Sequence, residues 1–276
     1  MKDIPKIKIG KYEVSRLIIG GNPIAGFSHQ SDELNWEMRK YYTMSNVQKL
    51  LKECLKNGIN TVQFRGDRFF MRAILEHYEA GGNIQWICQT ASELKDIKAN
   101  IKEIIKYKPI AIYHHGTDVD NKWHEGKIDE VKDIVKFIKD NNMLAGIGSH
   151  NPEVIEYAEE KGWETDFYMC CFYNLARKFK PYQAVITTNV EEEYLKDDPD
   201  KMTATMRSIR KPCLGFKILA AGRNCNTFDE VKKSFEYAFE NIKPSDAVVV
   251  GVFQKYKNQI KENSQIVREI LLKKNS

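Results

Sequence analysis

The chain has 276 residues, room for one large domain or two small ones, and its 42% hydrophobic and 29% charged residues exclude a disordered or fibrous protein. The formal net charge of +5 comes from scattered lysines rather than a basic block, so nucleic acid is not an expected partner. No apolar run reaches the roughly 18–20 residues of a membrane span, the first fourteen residues lack the apolar stretch of a signal peptide, and six cysteines without a CxxC pair point to a reduced, cytoplasmic protein.

In chain order, apolar runs predict strands at Leu17–Gly20, Thr61–Phe64, Ile84–Cys88, Ile110–His114, Leu144–Ile147, Phe167–Cys171, Cys213–Lys217 and Val248–Gly251. None alternates strictly between polar and apolar positions, which suits strands buried on both faces of a parallel sheet. Amphipathic segments lie between them. Ser45 to Gln48 reads as a capping box ahead of a helix that Gly58 stops. After Ser92, Leu94, Ile97, Ile101, Ile104 and Ile105 recur at helical spacing, as do Ile128, Val131, Ile134, Val135 and Ile138. Asn151-Pro152 is an N-cap followed by proline in the first turn, Thr227 to Glu230 is a second capping box, and the last helix spans roughly Asn258 to Lys273. Eight strand–helix repeats fit a (β/α)8 barrel over residues 1–276, with a doubly wound open sheet as the alternative. Two long connections, His29 to Tyr42 and Arg177 to Lys201, follow strands at the end where such barrels hold their active sites.

The strand ends carry the polar residues: Asn22 after the first strand, then Gln63, Arg65, Asp67 and Arg68, Gln89 and Thr90, and His114, His115 and Asp118. Ser149 and His150, Cys170, Cys171 and Tyr173, and Lys217 follow. Arg65, Arg68 and Arg72 together suggest an anionic or hydroxyl-rich substrate, or else salt bridges to Asp67 and neighbouring acids. His114 and His115 point to opposite faces of their strand, and His150 is a second acid–base candidate. Two histidines with Cys170 or Cys171 fall short of a diagnostic metal set. Lys217 in an apolar setting is a candidate base or Schiff-base lysine, or a partner for a nearby acid. Trp36, Tyr41 and Tyr42 either stack on a sugar or ring, or cover the barrel top.

In order and spacing the sequence resembles the aldo-keto reductase superfamily along nearly its whole length. The matching segments are Tyr12 to Leu17 with Gly20-Gly21, Gly58-Ile59-Asn60, Ile112 to Asp118, Gly146 to Pro152, Tyr173-Asn174, and Lys217 to Arg223. The resemblance implies a (β/α)8 barrel opened by a β-hairpin, with hydride transfer between a nicotinamide (NADP or NAD) and a carbonyl. It makes His115 the cavity-facing histidine and leaves the other three catalytic positions altered: Gln63 for aspartate, Arg68 for tyrosine, and Thr90 or Gln89 for lysine. It also implies nicotinamide contacts at Ser149 and Tyr173 and a phosphate site at Lys255, Lys257, Gln259 and Asn263. Cys170 stands at the strand position where the family places a glutamine. Three functions remain open at this point. One is an NAD(P)-dependent oxidoreductase acting on a small polar carbonyl or hydroxyl compound, with Asn22, Trp36, Gln63, Arg65 and Arg68 holding the substrate. Another is a non-redox lyase, epimerase or isomerase in which His115, His150 and Lys217 transfer protons and Arg65 and Arg68 hold the substrate. The last is a catalytically silent binding or regulatory barrel.

Overall fold

A computed structural model describes residues 3–179 and 192–273. Strands β1 (Lys6–Ile9) and β2 (Tyr12–Ser15) form an antiparallel hairpin around Gly10. The strands β3 (Leu17–Gly20), β4 (Thr61–Arg65), β5 (Gln85–Gln89), β6 (Ala111–His114), β7 (Leu144–Ser149), β8 (Phe167–Cys171), β9 (Cys213–Phe216) and β10 (Ala247–Gly251) then pair in parallel, in chain order. β10 returns to β3, with Val249 opposite Ile18, so the sheet closes. The doubly wound alternative has open sheet edges and is excluded by that pairing.

Around the barrel lie α1 (Asp32–Tyr41), α2 (Met44–Lys56), α3 (Arg68–Glu79), α4 (Ile97–Ile105), α5 (Gly116–His124), α6 (Asp129–Asp140), α7 (Pro152–Glu160), α8 (Asp198–Ser208), α9 (Phe228–Asn241) and α10 (Gln259–Lys273). The caps at Asn151 and Thr227 form as expected, with side-chain oxygens accepting from the N–H groups of Glu153 and Glu230. At α2 the cap is Thr43, which accepts from Asn46 N–H, two residues before the expected Ser45. Asp96 caps α4 and leaves Leu94 outside it, exposed. α1 lies inside the first long connection and α8 at the end of the second, both unforeseen because their apolar spacing is weak.

Period-two alternation divides the apolar residues into two cores. Ile18, Ile87, Ala111, Tyr113, Phe167, Met169, Leu214, Ala247 and Val249 fill the barrel interior together with Ile7, Ile9 and Val14 of the hairpin, which plugs the N-terminal end. Leu17, Ile19, Val62, Phe64, Cys88 and Ile112 face the surrounding helices. Arg16, 9% exposed, sits at the closing seam. Its Nε donates to the Asp246 carbonyl at 2.8 Å and its guanidinium lies 4.9 Å from the centre of the Phe239 ring. Among the described residues, no helix is long and apolar enough to cross a membrane.

Interior packing leaves no room at Gly146, where an added Cβ would lie 2.7 Å from the Phe167 ring. Gly146→Val is therefore expected to lower stability by about 1–3 kcal/mol through overpacking. In urea unfolding this appears as a reduced midpoint at unchanged slope; an unchanged midpoint would show that the interior yields at this position.

Candidate functional site

The inward-facing residues at the C-terminal ends of the strands surround a cavity of about 410 Å³. Gln63 and Arg65 enter it from β4, Gln89 from β5, Tyr113 and His115 from β6, and His150 from the end of β7; Phe216 and Lys217 come from β9 and Asn22 and His29 from the loop after β3. His115, His150, Lys217, Gln63, Arg65, Asn22 and Gln259, all singled out from the sequence, share this wall.

Two histidines are held from behind. His150 Nδ1 lies 2.7 Å from Asp120 Oδ2, and the His150 backbone N–H donates to the same carboxylate. Ser149 Oγ donates to Asp120 as well. An aspartate on Nδ1 fixes the ring's tautomer and leaves Nε2 as the nitrogen offered to a ligand. His115 Nδ1 lies 2.6 Å from Ser92 Oγ. Burial, with Arg65 and the neighbouring histidines adding to it, holds its pKa well below the usual imidazole value, so it is neutral near pH 7. His114 is turned away, its Nδ1 2.9 Å from Thr90 Oγ1 and its Nε2 bonded to Asp118. On the cavity floor the Tyr113 hydroxyl donates to Gln89 Oε1 at 2.6 Å. That bond turns the Gln89 amide nitrogen away from the phenol. Burial keeps the Tyr113 phenol protonated, its pKa pushed well above the ordinary value.

Both cations on the wall are held by acids. Arg65 is ion-paired with Glu93, and its Nε lies 3.7 Å from Asp67. Lys217 Nζ lies 3.2 Å from Glu192 and 3.3 Å from the Tyr194 hydroxyl. His29 sits between Asn22, with Nε2 3.1 Å from its amide, and Lys217, with Nδ1 3.4 Å from Nζ. Three of the wall residues, His29, Lys217 and Ala221, adopt left-handed backbone (φ 58°, 59° and 51°) without being glycine. Such strain is characteristic of functional walls.

Other expected residues lie elsewhere. Arg68 opens α3 behind its Asp67 cap and faces solvent, and Arg72 pairs with Glu76 on the same helix. Trp36 is 59% exposed on α1, away from the cavity. Tyr42 instead donates its hydroxyl to the Val252 carbonyl at 2.6 Å, and Tyr41 packs edge-on to Phe253, fastening the first long connection to the loop after β10. Ser149 is buried against Asp120, Tyr173 packs against Tyr194, and Asn263 is buried in α10. Lys255 is bound to Glu37 and Lys257 to Glu262. The first turn of α10 is capped by the chain itself: Gln254 and Asn258 side chains accept from the N–H groups of Ile260 and Lys261. The Gln259 side-chain oxygen in turn accepts from Phe253 N–H. Neither Cys170 nor Cys171 lines the cavity; both are buried, with Cys170 against Cys213. Among the described residues no three His, Cys, Asp or Glu side chains gather as a metal site. Of the second long connection, residues 180–191 lie outside the described residues, including Pro181 and Glu191.

Sequence reading did not single out Asp120, Ser92, Tyr113, His29 or Glu192. Tyr113 carried a signal, since it shares a strand face with His115. Asp120 and Ser92 lie beyond the strand ends and reach the histidines only through the fold.

No protein-family model matches the chain, and no curated protein does. Solved structures are similar in fold. An aldo-keto reductase from Bacillus halodurans, in its holo form, superposes with a TM-score of 0.61 at 14% identity, over 96% of this chain and 91% of that one. A truncated 3-deoxy-D-arabino-heptulosonate 7-phosphate synthase from Thermotoga maritima gives 0.55 at 12%, over 99% and 92%. A glycerol dehydrogenase from Gluconobacter oxydans gives 0.50 at 11%, over 97% and 95%. At these identities the likeness establishes the fold alone, a (β/α)8 barrel.

The depressed pKa of His115 has a sign that can be measured. The native ring resists protonation, whereas the unfolded ring protonates below about pH 6.5. The unfolded state then binds more protons, and stability falls as pH drops, by up to about 1.4 kcal/mol per pH unit. His115→Gln removes this penalty, so its stability in urea should fall less than that of the wild type between pH 7.5 and 5.5. Equal losses would argue against a neutral, buried His115.

Proposed function

We propose that the chain is an enzyme that shifts protons on a small polar hydroxycarbonyl compound without a redox step, an isomerase- or epimerase-type reaction. The observation that carries this reading is the pairing of differently prepared histidines on one cavity wall: His150 backed by Asp120, and neutral His115 backed by Ser92. In the proposed step His150 Nε2 takes a proton from the carbon beside the substrate carbonyl. The C–H electron pair forms the carbon–carbon double bond of an enediol, and the carbonyl oxygen takes up the negative charge. With the Ser92 hydroxyl donating to Nδ1, His115 presents Nε2–H to that oxygen, the role a neutral imidazole fills without surrendering its own charge state. In isomerisation His150 returns the proton to the former carbonyl carbon while the hydroxyl proton of the neighbouring carbon passes to the former carbonyl oxygen, so that the new carbonyl forms at that neighbouring carbon. In epimerisation solvent protonates the opposite face of the first carbon and His150 releases its proton to water. Asp120 keeps His150 in the required tautomer, and the Lys217–Glu192 pair forms part of the wall rather than a free amine poised for a Schiff base.

Among the residues assigned by resemblance to a nicotinamide nucleotide, Gln259 lines the cavity, whereas most of the others have partners within the chain that weaken the support for that ligand. Tyr173 is covered by Tyr194, Ser149 serves Asp120, Lys255 and Lys257 are paired with acids, and α10 caps itself. Hydride transfer is nevertheless supported by one feature. The cavity extends from His115 along Ile218 to Gly222 and past Val252 to Gln259, an elongated wall suited to a longer ligand, on a fold shared with a reductase and a dehydrogenase. In that reading the altered tetrad positions Gln63, Arg68 and Thr90 require a different proton donor.

Incubation in D2O with a panel of aldoses, ketoses and sugar acids, without added nucleotide, should wash out the proton beside the carbonyl, as followed by 1H NMR. His150→Ala should abolish the exchange and Asp120→Asn should slow it by about a hundredfold or more, from the wrong tautomer. Fluorescence titration with NADPH and NADH provides the opposing arm. Saturable binding, with turnover only when nucleotide is present, would replace proton shuttling by hydride transfer.

A further inference from the structure

We infer that the ligand of this cavity is uncharged and polyhydroxylated, a free sugar or polyol rather than a phosphate ester or a sugar acid; this deepens the proton-transfer reading and rests on the same site. The inference begins with charge. The cations at or touching the wall are Arg65, Lys217 and Arg223. Arg65 is ion-paired with Glu93, its buried Nε lying 3.7 Å from Asp67 without a hydrogen bond, and Lys217 is ion-paired with Glu192. Arg223 lies flat on the Tyr194 ring, 4.0 Å from its centre, and donates to the carbonyls of Ala220 and His29. Asp120, behind His150, adds a fourth carboxylate to those three, so the acids offset the cations. His115, held neutral, supplies no positive charge. A phosphate or carboxylate entering here would exchange water for a wall with no uncommitted cation among the described residues, and burying an anion without a partner is expensive.

The neutral hydrogen-bonding groups are abundant by contrast. Asn22, Gln30, Gln63 and Gln89 line the cavity as carboxamides, with the Thr117 hydroxyl; the Gln89 oxygen is taken by Tyr113, the Gln30 nitrogen by the Ala221 carbonyl and the Asn22 nitrogen by His29, which leaves the opposite pole of each able to meet a hydroxyl group. That is the complement of vicinal hydroxyl groups, which donate and accept. The rings of Phe27, Phe216 and Phe253 lie among them and supply apolar wall for the C–H bonds of a sugar.

The test uses matched pairs on the full-length protein: D-ribose against D-ribose 5-phosphate, and D-glucose against D-gluconate, by isothermal titration calorimetry. The neutral member should bind at least about tenfold more tightly than its charged partner, about 1.4 kcal/mol. Glu93→Gln releases one acid from Arg65 and should shift each ratio toward the charged member by a similar factor; a circular-dichroism melt confirms that the variant is folded. Tighter binding of the phosphate or carboxylate by the wild type, or binding of no member of either pair, overturns the inference. An unshifted ratio in folded Glu93→Gln overturns its electrostatic basis. The outcomes also separate the two readings. Neutral sugars that bind without deuterium exchange leave the ligand class standing and remove the proton-transfer reaction. A charged partner that binds more tightly and exchanges does the reverse.

Discussion

Closure of a parallel sheet is the constraint from which the rest of this molecule follows. Once β10 pairs with β3, every strand has one face inside the barrel and one outside, and a shift of one residue in any strand would exchange them. On β6 this rule separates two adjacent histidines: His115 faces the cavity, and His114 faces outward to Thr90 and Asp118. On β4 it sends Gln63 and Arg65 inward and Phe64 outward. The composition of the cavity is therefore a reading of alternate residues, and the apolar cores above and below each strand enforce that reading.

This is why the fold was legible from the sequence while the site was legible only in half. Strand cores such as Phe167–Cys171 and the Asn151 and Thr227 caps are written in local residue types, and the sequence placed them where the structure does. So were the strand-end residues that project inward, from Gln63 to Lys217. What the sequence could not contain is the set of partners that complete each group. Glu93 reaches Arg65 across 28 positions, Asp120 reaches His150 across 30, and Glu192 reaches Lys217 across 25. Those encounters decide whether an arginine is a free anion binder or half of an ion pair. A resemblance based on order and spacing is silent about them in the same way: it locates Lys255 and Tyr173 but not Glu37 or Tyr194.

The departures from the resemblance share a physical pattern. At several positions where a nicotinamide contact was expected, the side chain has a neighbour from this chain. Lysines meet glutamates, a tyrosine meets a tyrosine, and helix amides meet asparagine and glutamine side chains. The groups lining the cavity are of a mixed character: carboxamides, a protonated phenol, three imidazoles, and the ion-paired Arg65 and Lys217.

The hairpin plug carries a consequence for exchange with solvent. Ile7, Ile9 and Val14 fill the N-terminal end with apolar side chains, so among the described residues the cavity opens at the C-terminal ends of the strands. The dielectric felt by His115, His150 and the Arg65–Glu93 pair is thus set by whatever stands in that opening. Filling it would dry all of them at once, strengthening each ion pair and each oriented hydrogen bond in a single event.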